Sequence, residues 1–202
     1  MTRASPSRGR GRTLAWSLAL SAWGPPVTAL AVVLSHSTTQ LADFLRRSTE
    51  LAAIGVAFVA HRRTAEGDVP DATRIRWEAR ARTATRAALT LSGVAILVVA
   101  ALRTGAFRPT GPLWIGLSVA AAGLLVNAGF WRRYARLERA APDPIVTSQR
   151  VLFRAKCLVD AGVVASLGTS VLAPGRPVAL AADLAGSLVV AAYLLWSAAR
   201  SA

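Results

Sequence analysis

Four ionisable side chains, Asp43, Arg46, Arg47 and Glu50, crowd the first half of an otherwise apolar stretch at 41–60, LADFLRRSTELAAIGVAFVA. Carboxylates and cations in one apolar helix can do either of two things. They can neutralise one another, or they can hold and pass an ion or a proton. At about 100° per residue all of them fall on one side of a helix. Arg47 stands four residues after Asp43, and Glu50 four after Arg46, so each cation can meet an acid one turn along. Lys156 and Asp160 repeat the four-residue step in a second apolar stretch, 149–172. Arg150 and Arg154 lie nearer the start of that stretch, where long side chains reach out to water. Gln40, Arg47 and Cys157 are the polar neighbours of the two sets.

A charged side chain at mid-bilayer costs about 2.5–3.5 kcal/mol on insertion scales, so a set of four facing lipid would cost on the order of 10 kcal/mol. Such groups must face protein. The economical arrangement packs 41–60 against 149–172, charged face to charged face. Arg46, Glu50, Lys156 and Asp160 then form a set with two positive and two negative members.

The elements that must position them are read from hydropathy. The chain has 202 residues, is 53% hydrophobic and carries a formal net charge of +14, with apolar runs separated by arginine-rich pieces. Six runs, at 14–34, 41–60, 87–102, 113–130, 149–172 and 178–197, are long enough or nearly so to cross the hydrocarbon core, which needs about 20 residues of helix. Backbone polar groups in a bilayer are satisfied only by helices or closed barrels, and the runs lack the two-residue alternation of a barrel. The expected fold is an all-α membrane protein, a six-transmembrane-helix bundle, preceded by a basic tail at 1–13 and without a C-terminal soluble domain. Gly24, Pro25 and Pro26 are expected to kink the first span. The competing reading, a cleaved signal at the first span, rests on the basic tail and the Ala29-Leu30-Ala31 triplet.

Arginine sets the orientation. The tail and the pieces after the second, fourth and sixth spans hold sixteen arginines, whereas the other side holds only Arg103, Arg108 and Arg176. The positive-inside rule then places both termini in the cytoplasm and the protein in the plasma (cytoplasmic) membrane. Trp16, Trp114, Trp131 and Trp196 fall near span ends, where an indole keeps one edge wet. Pro70 and Asp71 mark a helix start, so that 72–86 extends the third span into the cytoplasm, and Thr147 or Ser148 is expected to cap the helix of the fifth. The cytoplasmic arginines can hold anionic lipid headgroups. Ala182 and Gly186, four apart in the sixth span, would permit close contact with another helix, within the chain or in a homodimer.

Several function classes fall away. Basic residues flanking apolar spans are topology signals, so the lipid bilayer and not nucleic acid is the expected partner. The single cysteine excludes an intrachain disulfide, and no CxxC pair or His/Cys cluster marks a structural zinc module. His36 and His61 stand apart from each other, and no Ser/His/Asp set, HExxH or glycine-rich phosphate loop points to an enzyme.

With these residues in place the chain resembles the transmembrane domain of the cation diffusion facilitator (cation efflux) family, from about residue 14 to 201. That resemblance implies six helices with cytoplasmic termini and export of divalent metals in exchange for protons. It also implies a metal site built from a (His or Asp)-x-x-x-Asp step in helix two and another in helix five. SHSTTQLADFLRRSTELAAIG puts Asp43 at the family's leading acid, Arg46 at the first ligand and Glu50 at the second. SQRVLFRAKCLVDAGVV puts Lys156 and Asp160 at the corresponding places, and ADLAGSLVVAAYLLWSAARS is similar to the family's closing helix. The departures are specific. Both first-ligand positions are basic, the family's glycine-rich cytoplasmic signature after helix two is replaced by EGDVPDATRIRWEAR, and the usual soluble domain is missing before Ala202. Arginine has no lone pair to give a metal, and zinc takes imidazole, thiolate or carboxylate.

The resemblance implies a secondary cation transporter working by cation/proton exchange with altered ion choice. Glu50, Asp160 and Asp43, helped by Gln40 and Cys157, would be the most that remains of a metal site. A divalent cation is expected only if that altered site binds one, and no other cofactor is expected. The alternative is a non-transporting relative in which Arg46/Glu50 and Lys156/Asp160 replace the metal and the protein serves a membrane partner.

Overall fold

The computed structural model describes residues 6–35, 38–65, 69–102, 113–172 and 177–200. His36 and the connections at 103–112 and 173–176 lie outside the described residues, as do the side chains of Gln40, Asp43, Trp114, Ala182 and Asp183. The described residues form seven helices and no strand: α1 (Pro6–Ser21), α2 (Gly24–Ser35), α3 (Thr38–Ala65), α4 (Asp71–Leu102), α5 (Leu113–Ala140), α6 (Pro144–Leu172) and α7 (Pro177–Arg200).

The helices α1 and α2 divide the first apolar run. A helix running through Pro25 and Pro26 would lose two amide donors and press each ring on the carbonyl four residues back. The chain therefore turns at Ala22 and Trp23 and restarts at Gly24, with both prolines in the first turn, where a missing N–H costs nothing. The Thr28 hydroxyl donates back to the Gly24 carbonyl at 3.0 Å. Most of the basic tail is also helical. Arg10 of α1 meets Asp143 at 2.9 Å and donates to the Ala141 carbonyl at 2.9 Å, which ties the tail to the corner between α5 and α6.

The helix α4 starts at Asp71, with the Pro70 carbonyl accepting from the amides of Thr73 and Arg74 at 2.9 and 3.1 Å. Its 32 residues make a rod of about 48 Å, longer than the hydrocarbon core, so the segment 72–86 continues the third span as one helix. Among the described residues it is the one helix long and apolar enough, by length and composition, to cross a membrane; Ala185–Arg200 is a shorter apolar helix.

The start of α6 departs from expectation. It begins at Pro144, and its cap is Asp143, whose Oδ1 accepts from the amides of Ile145 and Val146 at 2.8 and 3.2 Å. Neither Thr147 nor Ser148 caps it. Proline fits the first helical position, which leaves the residue before it as the cap. Thr147 instead donates to Glu138 Oε1 at 2.8 Å, and Ser148 donates back to the Ile145 carbonyl at 2.8 Å.

The helix α5 packs along α6, α3 along α4, and α4 along α7. Ile54, Leu89, Leu152, Phe153 and Leu194 are buried where they meet. Gly93 lets α4 come close to α7: a Cβ there would stand 3.0 Å from the Leu195 side chain. Leu91, Val98, Leu125, Leu188 and Val189 point outward. An apolar outer surface of this kind suits lipid and not water.

Candidate functional site

The two charged steps meet inside the bundle. In α3, Arg46 Nη1 lies 3.2 Å from Glu50 Oε1, and the two residues are only 8% and 5% exposed. From α6, Lys156 Nζ reaches the other oxygen of the same carboxylate, Oε2, at 3.5 Å. Glu50 thus serves two cations, one on each oxygen. Lys156 also donates to Ser21 Oγ at 3.4 Å, at the end of α1, and stands 5.1 Å from the centre of the Phe153 ring. The break after Ser21 therefore ends beside the cluster.

Lys156 turns to Glu50, across the helix interface, and Asp160 is bound from a different direction. Its Oδ2 accepts from Asn127 Nδ2 of α5 at 2.6 Å. Gly123, one turn before Asn127, faces the same carboxylate: a Cβ there would stand 3.4 Å from Oδ2, in ordinary contact. Arg46, Glu50 and Lys156 all act electrostatically on the Asp160 carboxylate. The four groups are one unit with formally balanced charge.

Arg47 is half-buried and lies over the start of α2, where a Cβ on Gly24 would come 3.3 Å from its Cδ. Cys157 is a buried free thiol beside Lys156 in α6. The side chains of Gln40 and Asp43 lie outside the described residues, and with them one member of the three-carboxylate metal set. Among the described residues no three of His, Cys, Asp and Glu gather closely enough to hold a metal ion. His61 is buried near the end of α3, with its ring beside Gly11 of α1.

Below the cluster, Phe130, Tyr134 and Phe153 form an aromatic group with ring centres 5.1–6.5 Å apart. The Tyr134 hydroxyl is hydrogen-bonded to Ser17 of α1 at 2.8 Å. These rings hold α1, α5 and α6 together one turn from Lys156.

Sequence reasoning missed Asn127, Ser21 and Gly123. A signal existed for the first, since Asn127 is the only amide side chain in the run 113–130. Serine and glycine are too common in membrane helices to mark a site by themselves.

A buried centre of paired charges, in a bundle whose described residues are helical and whose outer side chains are apolar, is the arrangement expected of a membrane protein. The chain belongs to the cation efflux family: the model of the cation efflux transmembrane domain matches residues 15–202. This is a family of membrane cation transporters. No curated protein matches the chain.

Proposed function

We propose that this protein keeps the cation efflux membrane fold but carries its own positive charge where the family's cargo would sit. The observation behind this reading is the double engagement of Glu50. One cation sits on each of its oxygens, at 3.2 and 3.5 Å, and neither Arg46 nor Lys156 can leave the chain. A dication entering this space would have to displace a guanidinium and an ammonium from a buried acid and lie beside both. Removing one partner from a buried ion pair costs about 3–5 kcal/mol, which sets the scale of that barrier. The protein then acts as a structural or regulatory partner in the plasma membrane, with six spans and both termini in the cytoplasm.

Proteoliposomes test this reading. Under an imposed proton gradient, no uptake of zinc, manganese or cobalt above that of empty vesicles is expected. Saturable uptake of any of them would contradict it. A second reading, cation/proton exchange with altered ion choice, is favoured by Asp160, an acid held by the neutral amide of Asn127 inside the same cluster. It requires uptake that Asp160→Asn abolishes.

A further inference from the structure

The arginine-rich end of the bundle contains a cavity that the ion cluster does not use. It lies between α4, α6 and α7 and has a volume of about 660 Å³. Arg82, Thr85, Ser148, Arg154, Trp196 and Arg200 line it. Two of the guanidiniums are held by aromatic rings: Arg200 lies over Trp196 at 4.5 Å, and Arg154 over Tyr193 at 5.5 Å. Stacking fixes the plane of a guanidinium while leaving its N–H edge able to donate.

Two further observations point to a ligand. Thr85 is 0% exposed, lines the cavity, and its Oγ1 has no hydrogen-bond partner. The Nε of Arg154 is buried and likewise makes no hydrogen bond. Buried polar atoms are nearly always hydrogen-bonded, so these two orphans leave the cavity wall under-satisfied, and a side-chain rotation toward an acceptor in the cavity would satisfy them. Among the described residues the acid lining the cavity, Asp143, is already engaged. Arg10 holds its Oδ2 at 2.9 Å, and two amides at the start of α6 hold its Oδ1. Among the described residues the cavity therefore keeps a surplus of positive charge from three arginines.

We infer that this cavity binds the phosphate group of an anionic ligand. Guanidinium forks match phosphate oxygens in geometry and charge, and basic pockets between membrane helices take phospholipid headgroups. The volume falls within the range of small-ligand sites, about 300–1,000 Å³. The shared chemistry is a phosphate ester, and its source is either an anionic phospholipid or a soluble phosphate. This inference does not rest on the proposed function, since Arg82, Arg154 and Arg200 lie outside the Glu50 cluster.

The test uses the full chain purified in neutral detergent, with its thermal midpoint followed during titration. The probes are phosphatidylglycerol, phosphatidylcholine, and inorganic phosphate at constant ionic strength. Phosphatidylglycerol is expected to raise the midpoint saturably, and phosphatidylcholine to leave it unchanged. Arg82→Gln with Arg200→Gln, both on exposed side chains, should raise the half-saturating concentration about twenty-fivefold, about fivefold for each arginine. Thr85→Val keeps every charge and is expected to weaken binding less than the double change. A response to phosphatidylglycerol alone assigns a headgroup site; a response to inorganic phosphate that competes with the lipid assigns a soluble phosphate. No response to either probe overturns the inference. So does an equal loss from Arg74→Gln with Arg76→Gln, exposed arginines that do not line the cavity, because it would reduce the effect to general surface charge.

Discussion

Glu50 is the residue on which the cluster turns, because it is the acid shared by both cations. Glu50→Gln leaves Arg46 and Lys156 buried without their carboxylate and should destabilise the protein by about 3–5 kcal/mol, measured by denaturation in mixed micelles. Arg46→Met should cost less, since Glu50 keeps Lys156 at 3.5 Å. Equal losses from the two changes would mean that Glu50 is not the hub. Part of this was legible in the sequence. A four-residue step brings Arg46 to Glu50 whatever surrounds the helix. The partner of Lys156 was not legible. Asp160 is four residues away along α6, but the rotation of α6 against α3 turns the ammonium to Glu50 and leaves Asp160 to Asn127. That choice is made by tertiary packing, which no local spacing encodes.

Among the elements, close helix contacts carry the energetics. Gly93 and Gly129 both sit inside helices, so alanine should gain up to about 1 kcal/mol of helix propensity at either. Their surroundings differ. A Cβ at Gly93 meets Leu195 at 3.0 Å, whereas a Cβ at Gly129 meets nothing within 4 Å. Gly93→Ala is therefore expected to lower the thermal midpoint and Gly129→Ala to hold or raise it; a rise in both would show that α4 and α7 do not pack this closely. The apolar runs announced the helices well, because length and hydropathy are properties of a segment alone. The ends were harder. Pro25 and Pro26 were expected to kink the first run, and the break falls at Ala22 and Trp23, just before them. At α6 the hydroxyls of Thr147 and Ser148 suggest a later cap, whereas Pro144 fills the first helical position and leaves the cap to Asp143.

For the molecule as a whole, the arginine count predicts a topology that labelling can check. In a Cys157→Ser background, Arg63→Cys should resist an impermeant maleimide added to intact cells and react once the membrane is opened. Arg108→Cys should react from outside; the reverse pattern would invert the bundle. The fold class and the family were legible because six apolar runs and two charged steps survive without any tertiary knowledge. The electrostatic balance was legible only as a possibility, since balance depends on which charges touch. Its consequence is most directly measured by calorimetric titration of zinc into the purified protein and into the Arg46→His, Lys156→His variant. The native protein should show no binding, and the variant, with two imidazoles beside Glu50 and Asp160, should gain it. Tight binding of zinc by the native protein would contradict the claim that its own cations occupy the site.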